Sequence, residues 1–276
     1  MANSKKNKAK HPTQSEHWKN LVTTDFVTLD PEQTIAMLPV GAIEQHGPHL
    51  PLGTDSYIIE SLVEGLLKRK HHQINLFALP PMLIGHSCEH SDFPGTLSAD
   101  AETLINLWTN IGKQVSKSGI HKLLILNSHG GQPQVVDIVA QRLRSQNQML
   151  VVGTNTFQLG MPSNLFNCKE LQHGLHGGEI ETSIMLHLHP DLVRMDKADN
   201  FIPASIRMEK TYSRLAPGGS AKFAWQAQDI HKSGAFGDAT KADPERGSIL
   251  IQYMLDEISL ILKDMSVFPI SDLKHV

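Results

Sequence analysis

Cysteine is nearly absent: Cys88 and Cys168 are the two in a chain of 276 residues. Two thiols cannot build a disulfide framework, and their scarcity predicts a reducing compartment, the cytoplasm. An excess of one charge is also missing. With 25 basic and 28 acidic residues the net charge is −3, which leaves no electrostatic footprint for a nucleic acid. Long apolar runs are lacking as well. The longest, such as Leu123-Leu124-Ile125-Leu126, has the length of a core strand and is far from the ~20 residues of a membrane helix. Tryptophan and tyrosine are scarce, at three each, whereas histidine numbers 16. Histidine is the commonest metal ligand and the usual acid–base side chain. The expected partner is therefore a small molecule, with no nucleic acid and no membrane.

Along the chain, residues 1–22 read as a basic, flexible tail, with Lys5, Lys6, Lys8 and Lys10 and almost nothing apolar. From Thr34 onward, strand and helix signals alternate. Strands are predicted over 34–40, 76–79, 122–127 and 149–153, each a short apolar run. Helices are predicted over 56–70, 98–117, from Pro133 onward, 178–189 and 244–263. In the second of these, Leu104, Ile105, Trp108, Ile111 and Val115 keep one helical face, and Asp100 and Glu102 sit where the helix dipole favours anions. Residues 197–243 are rich in Gly, Pro and Ser and show no clear period. Alternating strands and helices predict an α/β fold on a largely parallel sheet. No internal repeat or linker divides the chain, so residues 23–276 are expected to be a single catalytic domain.

Four segments carry chemistry. Gly41-Ala42-Ile43-Glu44-Gln45-His46-Gly47 directly follows a predicted strand, and ligand sites of α/β sheets gather at such strand ends. Glu44 and His46, two apart, point to one face of extended backbone, and Asp55 follows just before a helix. Glu, His and Asp suit Zn, Mn or Fe; a polar turn with an incidental histidine is the alternative. Asn127-Ser128-His129-Gly130-Gly131 occupies the same place on its own strand. His176-Gly177-Gly178-Glu179-Ile180-Glu181 feeds a helix bearing two carboxylates, so that His176 and Glu181 could share a site, although the helix dipole alone accounts for acids there. Gly85-His86-Ser87-Cys88-Glu89-His90 is a polar, turn-rich stretch. It is expected to be a pocket wall offering Ser87, Glu89 and His90 to substrate, or else a surface loop.

Taken together, Gly41-x-x-Glu44-Gln45-His46-Gly47-x-His49-x-x-x-Gly53-x-Asp55, Phe93-Pro94-Gly95-Thr96, Asn127-x-His129-Gly130-Gly131 and His176-x-Gly178-Glu179-x-Glu181-Thr182-Ser183 resemble the creatininase family, in the family's order. The resemblance implies a three-layer α/β/α sandwich, a hydrolytic site with two divalent ions, and a ring-like homo-oligomer, often a hexamer. It matches Glu44, His46, Asp55 and His129 to metal ligands. Asp55 would bridge the ions, with Glu44 and His129 on one and His46 on the other. His176 matches a proton shuttle. Creatininase itself carries a metal-binding glutamate two residues after the histidine matching His129, where this chain has Gly131. Glu181 is the candidate for that missing ligand and for a share in catalysis. Creatininase also packs its flat substrate against tryptophans, and the stretches near Thr156 and Gln172 contain none, which argues against creatinine.

The expected activity is thus metal-dependent hydrolysis of an amide C–N bond, cyclic or formyl, in a small molecule. Other branches of the resembled family deformylate a formamidopyrimidine nucleotide, trim a peptide, or open a cyclic ketone. The reading from another class is a non-catalytic metal-binding oligomer.

Overall fold

The computed structural model describes residues 15–71 and 74–274. Five strands form one parallel sheet in the order β1-β3-β2-β4-β5: β1 (Ser15–His17), β2 (Thr34–Val40), β3 (Asn75–Ala78), β4 (Lys122–Asn127) and β5 (Leu150–Asn155). The central strands are buried on both faces, so their side chains alternate between two cores. From β2, Ile35 and Met37 enter one hydrophobic cluster, while Ala36, Leu38 and Val40 enter the other. From β4, Leu124 and Leu126 face the first and Leu123 and Ile125 the second. That two-sided burial is why these strands read as unbroken apolar runs rather than alternating ones.

Helices cover both faces. On one side pack α1 (Thr54–Lys68), α5 (Glu179–Leu188) and α8 (Pro244–Val267), and on the other α2 (Ala101–Lys117) and α3 (Pro133–Asn147). The result is a three-layer α/β/α sandwich. Local signals set the helix ends. Pro133 and Pro244 stand in the first turns of α3 and α8, and Asp243 caps α8 by accepting from the Glu245 N–H at 2.8 Å. The stretch without a clear period holds short pieces: α4 (Cys168–His173) precedes it, and within it lie α6 (Ala204–Thr211), α7 (Ala227–Ile230) and the antiparallel ribbon of β6 (Asn200–Phe201) with β7 (Gly237–Asp238).

One expectation is corrected. The sequence predicts a tail over residues 1–22, of which 1–14 lie outside the described residues. Residues 15–17 instead form β1, paired in parallel with β3. The Trp18 ring then lies 4.8 Å from that of Phe26, tilted by 50°, and both pack against the α2/α3 core. The polar triplet Ser15-Glu16-His17 shows no strand pattern because its pairing is made by backbone groups and its anchor, Trp18, follows it.

The chain passes from β2 through α1 to β3 on one side, then through α2 to β4 on the other side of β2. The reversal leaves a crevice at the carboxyl ends of β2 and β4, the usual ligand position of open α/β sheets.

Candidate metal centre

Val40 and Asn127, the last residues of β2 and β4, are paired in register, so the loops bearing Glu44-Gln45-His46 and Ser128-His129 leave the sheet side by side. Polar side chains lock them together. Asn127 grips its own loop, donating to His129 O at 2.7 Å and accepting from His129 N–H at 3.0 Å. Gln132 donates to Asn127 Oδ1 at 2.9 Å and to Gly41 O at 3.1 Å. Ser128 donates to Asp55 O at 2.8 Å, which fixes the first turn of α1 against β4. Buried groups paired this fully form a rigid frame.

Inside the frame, carboxylates and imidazoles converge. His46 Nε2 lies 3.7 Å from Asp55 Oδ1, 3.9 Å from Glu44 Oε1 and 3.9 Å from Glu181 Oε2. On the other side of Asp55, His129 Nδ1 lies 3.3 Å from Asp55 Oδ2 and 3.2 Å from Glu44 Oε2. Glu44, His46, Asp55 and His129 are at most 2% exposed, and Glu181 8%. The far nitrogen of each ring is engaged: His46 Nδ1 donates to Glu44 O at 3.1 Å, and His129 Nε2 donates to His86 O at 2.9 Å. These bonds set the tautomers and leave His46 Nε2 and His129 Nδ1 with lone pairs aimed at the carboxylates.

That arrangement fits a cation. His46 Nε2, Glu44 Oε2 and Asp55 Oδ2 are buried with no hydrogen bond, an expensive state for acceptors that face one another. Electrostatics agree. Burial alone would lower the His46 pKa, but the bond and charge of Asp55, with Glu181 and Glu44 behind them, raise it to about 9. Burial also raises the Glu181 carboxyl, to about 7, against the pull of His46. The cluster therefore takes up positive charge wherever it can, as a proton or as a metal ion. Two groups of convergent donors, Glu44–Glu89–His129 and His46–Asp55–Glu181, lie on either side, and a third joins Glu44, His46 and His176.

His176 and His90 form the next layer. Their rings stack with centroids 4.1 Å apart, and the His46 ring lies 4.2 Å from that of His176, tilted by 31°. His176 Nε2 donates to Gln45 O at 2.6 Å, which leaves Nδ1 bare 3.6 Å from Glu44 Oε1. His90 accepts from Gln45 Nε2 at 2.7 Å through Nδ1 and turns Nε2 towards Glu44 Oε1 at 3.4 Å. Both are neutral, because burial holds His90 at about 4 and His176 well below the ordinary imidazole value.

The candidate site residues Glu44, His46, Asp55, Ser87, Glu89, His90, His129, His176 and Glu181 come together here, whereas Glu179 is drawn away by Arg246. The Ser87 hydroxyl, fully buried, lies behind the His129 ring, 3.4 Å from Nε2. Glu89 stands at the rim, its side chain 14% exposed and Oε1 3.7 Å from His129 Nε2. Sequence reading missed Gln45, which ties His90 to Gly234 O at 2.9 Å; the signal available was a side chain with both donor and acceptor between two candidate ligands. It also missed the aromatic neighbours. Phe236 lies 5.7 Å from His176, with Trp225 edge-on to Phe236 at 5.7 Å and Phe93 and Phe223 in the same cluster. They come from segments other than the stretches near Thr156 and Gln172.

A three-layer α/β/α chain with buried histidines and carboxylates at adjoining strand ends is of the metal-hydrolase class. The chain belongs to the creatininase family of amidohydrolases, whose model, "Creatinine amidohydrolase", matches residues 19–262. It is 28% identical over 228 residues to the mycofactocin precursor peptide peptidase of Mycobacterium ulcerans (strain Agy99), covering 80% of this chain and 81% of that one. It is 29% identical over 190 residues to the creatinine amidohydrolase of Pseudomonas putida, covering 62% and 70%. The fold matches that of a mutant creatininase of Zn–Zn type with a TM-score of 0.71 at 23% identity, over 90% of this chain and 97% of that chain.

Proposed function

We propose that this chain hydrolyses the C–N bond of a small amide, cyclic or formyl, with two divalent ions, Zn, Mn or Fe, held in one catalytic domain over residues 23–276 that β1 extends at its edge. The observation that carries this reading is the pair of bare imidazole nitrogens, His46 Nε2 and His129 Nδ1, on opposite sides of Asp55. Asp55 would serve both ions, Glu44 and His129 one, His46 and Glu181 the other. A pair of such ions polarises the amide carbonyl and makes water nucleophilic near neutral pH. Around them the chain's own groups do the rest. His176 is tethered at Nε2 by Gln45 O, so its bare Nδ1 accepts a proton during attack and delivers it to the leaving nitrogen. His90 holds Glu44 in place, and the aromatic cluster at Phe236 keeps bulk water from the imidazole stack.

Trimming of a peptide is the second reading, favoured by the similarity to the mycobacterial peptidase. We further place the protein in the cytoplasm, as its two free cysteines suit, and in a ring-like homo-oligomer of the hexameric kind; among the described residues no helix is long and apolar enough to cross a membrane. The test is reconstitution with Zn, Mn or Fe, elemental analysis, and a panel of cyclic amides, formyl amides and short peptides. About two ions per chain and turnover of an amide are expected. Creatinine, included in the panel, should turn over far below the ~10 per second of an ordinary enzyme. A fully loaded protein that cleaves no C–N bond in the panel is a metal-binding oligomer instead.

A further inference from the structure

Gln45 adjoins both stacked histidines, and its buried amide is held in one orientation. Oε1 accepts from the Gly47 N–H at 2.9 Å, and Nε2 donates to Gly234 O at 2.9 Å. A backbone N–H can only donate and a backbone carbonyl can only accept, so these two partners fix which end of the amide is which. A Cβ at 234 would overlap the amide's oxygen, carbon and nitrogen, so glycine there leaves room for it. The second proton of Nε2 goes to His90 Nδ1 at 2.7 Å. His176 Nε2, 3.2 Å away, does not accept it, because its own proton is donated to the Gln45 carbonyl at 2.6 Å. The consequences for the two rings are opposite. His90, accepting at Nδ1, carries its proton on Nε2 and turns it towards Glu44 Oε1, 3.4 Å away. His176, donating at Nε2, turns a bare Nδ1 to the same oxygen at 3.6 Å. The other oxygen of that carboxylate, Oε2, is buried with no hydrogen bond and faces His129 Nδ1 at 3.2 Å.

We propose that Gln45 is a positioning residue: its side-chain amide confines the His90 proton to Nε2, against Glu44 Oε1, and so aims Glu44 Oε2 at the ion shared with His129. This role rests on the hydrolase reading for the ion and adds to it what orients the ion's ligand. A neutral imidazole can carry its proton on either nitrogen. With the proton on Nδ1, His90 would present a lone pair to the Glu44 carboxylate and repel it. The Gln45 amide removes that choice, because its own orientation is dictated by backbone groups on both sides. Partners of this outer kind fix the tautomer and direction of the groups they touch, and their loss costs about 10–100-fold in metal affinity. The side chain of Gln45 thus governs His90, while its backbone carbonyl, which no substitution removes, governs His176.

The experiment uses the full chain with isotope-labelled imidazoles, as wild type, Gln45→Glu and Gln45→Met. Proton–nitrogen correlation spectra of the metal-free proteins tell which nitrogen of each ring carries the proton, with His90→Asn and His176→Asn assigning the two rings. Zn is then titrated in against a chelator. Wild type should hold both protons on Nε2. A carboxylate at position 45 accepts where the amide donated, so in Gln45→Glu the His90 proton should move to Nδ1 while that of His176 stays on Nε2. Gln45→Met deletes the amide without adding charge. There the His90 proton should spread over both nitrogens, and one Zn should bind about 10–100-fold more weakly. A His90 proton that stays on Nε2 alone in whichever variant folds overturns the assignment. So does a change at both rings alike, which marks a general loosening of the loop, and so does unchanged Zn affinity in Gln45→Met. A wild-type chain that takes up no Zn overturns the hydrolase reading instead, and the metal-free spectra still decide whether Gln45 sets the His90 proton.

Discussion

Gly247 of α8 lies directly against the backbone carbonyl of Ser183 in α5: a Cβ at 247 would overlap Ser183 O and the Ile184 N–H. The contact brings the two helices together at backbone distance, and α5 is the helix that carries Glu181. Gly247→Ala must push α5 away, because backbone cannot rotate aside as a side chain can. Overpacking of this kind costs about 1–3 kcal/mol, so the melting temperature should fall by several degrees, roughly 2–4 °C per kcal/mol for a chain of this size. Metal affinity should fall with it. Scanning calorimetry and chelator competition on this variant check both, and unchanged affinity would detach Glu181 from the second ion.

Asp55 stands between His46 and His129, 3.7 Å and 3.3 Å away. Asp55→Ala should lose both ions, while His46→Ala should lose one. Elemental analysis after reconstitution separates them. Equal losses from the two variants would show that Asp55 does not bridge.

His176→Asn tests the proton route. The amide can occupy the place of Nδ1 but cannot shuttle a proton, so activity should fall by roughly 10²–10⁴ with ion content unchanged. An ion lost along with activity makes His176 a ligand through the group it forms with Glu44 and His46. A change of only a few-fold reduces it to a brace for its loop.

His49 gives a pH signature. It is 1% exposed and bound through Nε2 to Thr182 Oγ1 at 2.9 Å. Burial, with His46 nearby, holds its pKa at about 4, against about 6.5 in an unfolded chain. A depressed folded value means that the unfolded chain binds the extra proton between those pH values. The stabilising contribution is therefore complete above pH ~6.5 and is lost as pH falls towards ~4, by about 3 kcal/mol in all. Thermal melts of the metal-free protein across that window should fall more steeply than those of His49→Gln. Parallel curves would refute it.

Residue type and local spacing in the sequence determined the alternation of strands and helices, because period and turn chemistry are encoded within a few neighbours, whereas Glu44, His46, Asp55, His129 and Glu181 were marked as candidate ligands by the resemblance of their motifs to a family. The apolar run of β4 and the helical face of α2 needed no distant partner to be read, and the strand-end loops followed from them. Tertiary structure alone decided the rest. β1 joins the sheet through backbone hydrogen bonds, which its polar side chains do not advertise. The tautomers of His90 and His176 depend on Gln45, which lies 131 positions from His176 and 189 from Gly234. The aromatic neighbours of His176 come from Phe93, Phe223, Trp225 and Phe236, a cluster with no common sequence period. Glu89 fills the place of a side chain at Gly131 only because two loops approach closely in space. Contacts of that kind arise from packing between segments far apart in the chain, and no local pattern of residues records them.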